Sequence, residues 1–89
     1  MFPPDKLQIE DAINALLQKR GPGKSICPSE VARDLAGDRE WRELMGPVRL
    51  VAIDLMRQGK LIITQRGKVV DPDNFRGPVR LRQSQPLKK

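Results

Sequence analysis

Apolar residues recur with helical spacing through the first two thirds of the chain and with strand spacing after that. Between Asp5 and Arg20, the residues Ile9, Ala12, Ile13, Leu16 and Leu17 fall at i, i+3, i+4, i+7 and i+8. They share one helical face, with Gln8, Asp11, Asn14 and Gln18 outside it. Asp5 suits the N-cap, and Gln8 three residues later completes a capping-box pattern. Lys19-Arg20 suits the negative end of this helix, and Gly21-Pro22-Gly23 stops it. A second helix, PSEVARDLA, opens at Pro28 with Cys27 beside its start. Val31, Leu35, Ala32 and Ala36 give it a narrow apolar face, and Gly37 closes it. A further short turn, DREWRELM, is expected to be capped by Asp38. It puts Trp41, Leu44 and Met45 in the core beside the first helix, and Gly46-Pro47 breaks it from the third. On that third helix, at about 100° per residue, Val48, Val51, Ala52, Leu55 and Met56 gather on one side. Arg49, Leu50, Ile53, Asp54 and Arg57 take the other. Gly59 suits the left-handed residue that follows a helix end.

Past Gly59 the pattern changes. Leu61, Ile62, Ile63 and Thr64 read as a strand, Gln65-Arg66-Gly67-Lys68 as a tight turn, and Val69-Val70 as the return strand. Lys24-Ser25-Ile26 reads as a short strand pairing with this hairpin. Asp71-Pro72-Asp73-Asn74 is a turn by composition. From Val79 to Arg82 apolar and basic residues alternate, which fits an extended strand with one buried side. Val79 and Leu81 would pack onto the domain, and Arg80 and Arg82 would face outward. The order helix, helix, helix, hairpin predicts an α+β fold, a winged helix-turn-helix with a basic C-terminal extended segment. It forms one domain over residues 1–82, and residues 83–89, QSQPLKK, read as a disordered polar tail. The join from Gly37 to Gly46 is longer than the three or four residues of a compact helix-turn-helix. Leu50 and Ile53 stand on the outer side of helix three and need cover. It would come from a partner or from the C-terminal segment through Val79 and Leu81.

Composition narrows the classes. Eighty-nine residues make one modest core, because a chain this short hides only about 60% of its unfolded surface. At 38% hydrophobic and 31% charged residues it is too apolar for disorder. One Trp, two Phe and no Tyr leave few platforms for stacking bases. No apolar run approaches the roughly 18 residues a membrane span needs. MFPPDK lacks the pattern of a secretory signal, and one cysteine allows no internal disulfide. A cytoplasmic protein off the membrane is the expectation. Net charge is +6, and it is unevenly spread. Residues 1–65 hold ten basic and nine acidic side chains, residues 66–89 seven and two. The excess therefore begins at the hairpin tip, and a basic wing and tail suit a polyanion.

Candidate chemistry is thin. Gly23-Lys24-Ser25 resembles the end of a phosphate-binding loop. The pattern requires a glycine where Gln18 stands and a helix where Ile26-Cys27-Pro28 follows. Asp71-Pro72-Asp73-Asn74 resembles the start of a calcium loop, but Arg76 occupies the glycine position and no glutamate follows. With no histidine and one cysteine, a metal site is not expected. Cys27 is the one candidate nucleophile, at a helix start that favours a thiolate. No histidine is present to act as its base. A small hydrophobe packed at the helix start is the plainer role. No enzyme activity and no cofactor are expected.

KSICPSEVARDL, then WRELMGPVR, then GKLIITQRGKVVDPDNFRGPVRLR resemble a family of small bacterial proteins of unknown function that share this motif order. The resemblance spans about residues 6–82. It implies a winged-helix-like fold and brings no activity, ligand or catalytic residue with it.

Two functions are expected in competition. The first is binding of nucleic acid, chiefly duplex DNA. Arg66 and Lys68 at the wing and Arg80 and Arg82 on the C-terminal strand would meet phosphates, and Arg49 would approach a base edge or the backbone. The second is a protein-interaction or homodimer interface built on Leu50 and Ile53.

Overall fold

Asp5 is extended (φ −87°, ψ 177°), and its carboxylate accepts the Gln8 N–H at 2.9 Å while Gln8 Oε1 accepts the Asp5 N–H at 2.8 Å. This is the expected capping box, and it starts α1 (Lys6–Arg20) in the computed structural model, which describes residues 4–84. Helix α2 (Pro28–Ala36) begins after Cys27, with Pro28 in the first turn, where a missing N–H breaks no helical bond.

The next stretch departs from expectation. A single 3₁₀ turn (Trp41–Leu44) is capped by Glu40 rather than Asp38, its side chain accepting the Arg42 N–H at 3.4 Å. It runs straight into α3 (Met45–Arg57), so Gly46-Pro47 lies inside the helix and does not separate two pieces. First-turn N–H groups have no helical acceptor, and Pro47 therefore costs no hydrogen bond there. Trp41 packs against α2 rather than beside α1. Its ring lies 4.5 Å from the Arg33 guanidinium and 4.7 Å from that of Arg42. Gly59 (φ +77°) leads out of α3 as expected.

Four short antiparallel strands follow the order β1 (Ser25–Ile26), β4 (Arg80–Gln83), β2 (Leu61–Gln65), β3 (Lys68–Val69). The β2–β3 hairpin turns at Arg66 (φ +55°) and Gly67 (φ +81°). Two positive φ values in a two-residue loop match the twist of the flanking strands. β1 was expected to pair with the hairpin, but β4 stands between them, with Leu81 opposite both Ile26 and Ile63. In that position Leu81, 0% exposed, is flanked by an apolar residue on each side and continues the buried row from Ile26 to Ile63. Ile26, Ile63 and Leu81 form the floor on which Ile13, Val31, Val48 and Leu55 of the helices pack.

β4 also runs past the expected domain end at Arg82. Gln83 belongs to the strand, and its side chain donates to the Leu17 carbonyl at 2.9 Å. The rest of the expected tail, from residue 85, lies outside the described residues. No helix of the described residues is long and apolar enough to cross a membrane.

Candidate nucleic-acid interface

Alternation along β4 decides which way its arginines face. Leu81 points into the core, so Arg80 and Arg82 stand on the opposite face of the sheet, away from the helices. Register gives them neighbours. Arg82 lies opposite Ser25 and Ile62, and Arg80 opposite Thr64, which in turn pairs with Val69. None of the four strands contains an acidic residue.

Arg80 is exposed and anchored to β1. Its Nε donates to Ser25 Oγ at 2.6 Å, one Nη to the Ser25 carbonyl at 3.0 Å and the other to Cys27 Sγ at 3.4 Å. None of these partners is a carboxylate. Glu30, close enough for its carboxylate to feel the Arg80 charge, is engaged elsewhere. It accepts the Cys27 N–H at 2.9 Å and pairs with Arg20 at 2.5 Å. The Cys27 amide first, then Arg20, with Arg80 adding its charge, hold the Glu30 carboxyl below its ordinary range. Arg20 also donates to the Ser25 carbonyl at 2.9 Å. Arg82 is half-buried, its Nε shielded from solvent without a hydrogen-bond partner, and it makes no ion pair among the described residues. Cys27 is half-buried and free of any disulfide.

The other sequence-predicted residues do not join this face. Lys68 lies opposite Gln65, one residue beyond Thr64, so it projects on the helix side of the sheet. Arg66 sits in the turn between the two faces. The single cationic surface expected from the sequence is therefore divided, because a one-residue step along a strand changes the face.

Arg49 is turned inward along the protein. One Nη donates to the Gly77 carbonyl at 2.6 Å, the guanidinium lies 5.6 Å from the Phe75 ring centre, and its Nε is shielded without a partner. Two turns along α3, Arg57 pairs with Asp73. Gln65 ties down the same segment, its amide donating to the Arg76 carbonyl and, at 3.1 Å, to the Pro78 carbonyl. Residues 71–79 thus form a strap along one flank of α3. Ile53, one turn from both Arg49 and Arg57, is half-buried and packs on the core.

Leu50 is not covered by Val79 or Leu81, which are both spent in the core. It stays 69% exposed beside a shallow groove of about 340 Å³ lined by Pro4, Lys6, Ile9, Pro47, Val51 and Asp54. Lys6 Nζ meets Asp54 at 2.7 Å on its rim. That contact raises the Lys6 pKa and lowers that of Asp54.

Ser25 and Thr64 share the arginine face and were not singled out from the sequence. Leu61-Ile62-Ile63-Thr64 is apolar on both sides, so alternation gave no sign of which side was open.

No curated protein matches the chain. A family model described as "Protein of unknown function (DUF3253)" matches residues 6–84. Since that span runs from the first residue of α1 past the end of β4 and takes in every helix and strand, the chain belongs to this family.

Proposed function

We propose that the protein is a winged-helix-like module that binds nucleic acid, duplex DNA in the first place, through the outer face of its sheet and its hairpin tip. One observation carries this reading. Arg80 and Arg82 stand side by side on the middle strand, facing outward, with no carboxylate opposing them in any strand. Arg66, in the turn between the two faces, adds a separate positive charge at the hairpin tip. Such an array favours phosphates, and Ser25, whose hydroxyl oxygen accepts from Arg80, lies beside it. The winged reading rests on the order of three helices followed by a hairpin packed beside them. It implies a cytoplasmic binding protein without metal, cofactor or catalytic group.

A titration with random duplex DNA at low salt, followed by amide NMR, tests it. Shifts are expected at Ser25, Thr64, Arg66, Arg80 and Arg82. Arg66→Ala is expected to weaken binding to every sequence and to flatten the salt dependence. Unchanged spectra at low salt overturn the proposal.

Exposed Leu50 beside an apolar groove favours a second reading, a protein partner or a second copy of the chain. Covering Leu50 would contribute on the order of 1.5–3 kcal/mol. Ile53, half-buried already, adds little to such a face. A monomer by sedimentation at high concentration removes the homodimer form of this reading.

A further inference from the structure

We propose that the nucleic acid is held by its sugar–phosphate backbone alone, as a duplex, with α3 kept out of the groove and no base sequence read. This inference rests on the nucleic-acid reading above and deepens it. Reading a base edge takes unengaged donors or acceptors on an element that fits a groove. From Arg49 to Arg57, α3 has three polar side chains, and each is spoken for. Arg49 is bonded to the Gly77 carbonyl and covers Phe75. Asp54 is held by Lys6 at 2.7 Å and by the Gln58 amide at 2.8 Å. Arg57 is paired with Asp73. Of the two exposed residues on this face, Arg57 is held by that ion pair and Leu50 has only methyl groups to offer a base edge. The strap and the start of α1 thus hold the helix from its two flanks.

Single strands are excluded as the preferred ligand by a second, independent observation. Sequence-tolerant single-strand binding depends on aromatic rings that stack on bases. The four strands contain none. Among the described residues, Trp41 is flanked by Arg33 and Arg42, and Phe75 lies against Arg49. What this face of the sheet offers is two guanidinium groups among Ser25, Ile62 and Val69, with charge for phosphates and no ring for bases.

The test uses the full chain and three unrelated random-sequence duplexes of equal length, one of their single strands, and a salt series. Duplex affinities are expected to agree within about threefold, and the single strand to bind more weakly. Arg80→Met and Arg82→Met should each reduce the slope of log affinity against log salt by about one. Arg57→Ala, with folding checked by circular dichroism, should leave affinity and slope unchanged. A consensus recovered by selection from a random duplex pool and bound on the order of 100-fold above random sequence overturns the inference while keeping nucleic-acid binding. Tighter binding of the single strand does the same. No binding of either form at low salt removes the underlying reading together with the inference.

Discussion

Helix α3 and strand β4 both carry a pair of arginines on the side away from the core, and in the sequence the two pairs look alike. Folding treats them differently. Arg49 and Arg57 are drawn down by partners from residues 71–79: a carbonyl, a ring and a carboxylate. Arg80 meets only groups of β1 and Cys27, none of them a carboxylate, and Arg82 meets no ion-pair partner among the described residues. The strap makes the difference. It leaves β3, crosses the flank of α3 and enters β4, so it engages both helix arginines, one of them with a carboxylate, and then supplies the sheet's arginine strand. A charge pattern says where cations are in the chain. Which of them remain available depends on contacts many residues apart.

The comparison is broken most severely by attacking β4 itself. Leu81→Ala empties a site enclosed by Ile26 and Ile63 and should destabilise by about 2–5 kcal/mol in urea unfolding. Leu50→Ala, at the exposed helix position, should stay within about 0.5 kcal/mol. Equal losses at both sites would mean that β4 is not the middle of the sheet.

Loosening the strap is the next largest effect. Phe75 is half-buried, so Phe75→Ala should cost roughly 1–3 kcal/mol, below the range of a fully buried ring. In a double-mutant cycle with Arg49→Met, the coupling should be about 0.5–1 kcal/mol. A coupling of zero would leave Arg49 and Phe75 as neighbours without interaction.

A smaller effect separates Glu30, beside the sheet's arginines, from the rest. Its folded pKa is lowered, so its stabilisation is present above the ordinary glutamate value and is lost as pH falls through the lowered one. The stability gap between the protein and Glu30→Gln, at most about 1 kcal/mol for so accessible a pair, should therefore close as pH falls from above the ordinary glutamate value through the lowered one in acid titrations of unfolding. A gap that widens on acidification contradicts the assignment.

Smallest of all, Arg82→Met should leave the unfolding free energy within about 0.5 kcal/mol or raise it slightly, since it removes a shielded Nε that has no partner. The same substitution should weaken DNA binding. A side chain that binds without stabilising is what distinguishes the sheet pair from the helix pair.

Local chemistry was legible and distant pairing was not. Asp5 and Gln8, Pro28, Gly59 and the Arg66-Gly67 turn act through neighbours within a few residues, and each sits where the sequence put it. Alternation at Val79–Arg82 also foretold the buried side of β4. The position of that strand between β1 and β2 depended on contacts across some fifty residues, for which no spacing rule exists. The same holds for Arg49, whose acceptor is a backbone carbonyl and leaves no trace in composition. Asp38 was displaced as a cap by Glu40 for a subtler reason: either acid precedes the turn, and only the backbone path selects one.

Placing the latest-made strand in the middle of the sheet has a consequence for biosynthesis. Ser25-Ile26 is made more than fifty residues before β4 and the hairpin only eleven residues before it, and β1 and β2 have no mutual hydrogen bonds to make without β4. The nascent chain must carry two unsatisfied edges, each a template for pairing with another molecule. Pairing with β4 satisfies the facing edges of both strands, so the integrity of the whole sheet hangs on four residues near the end of the described chain.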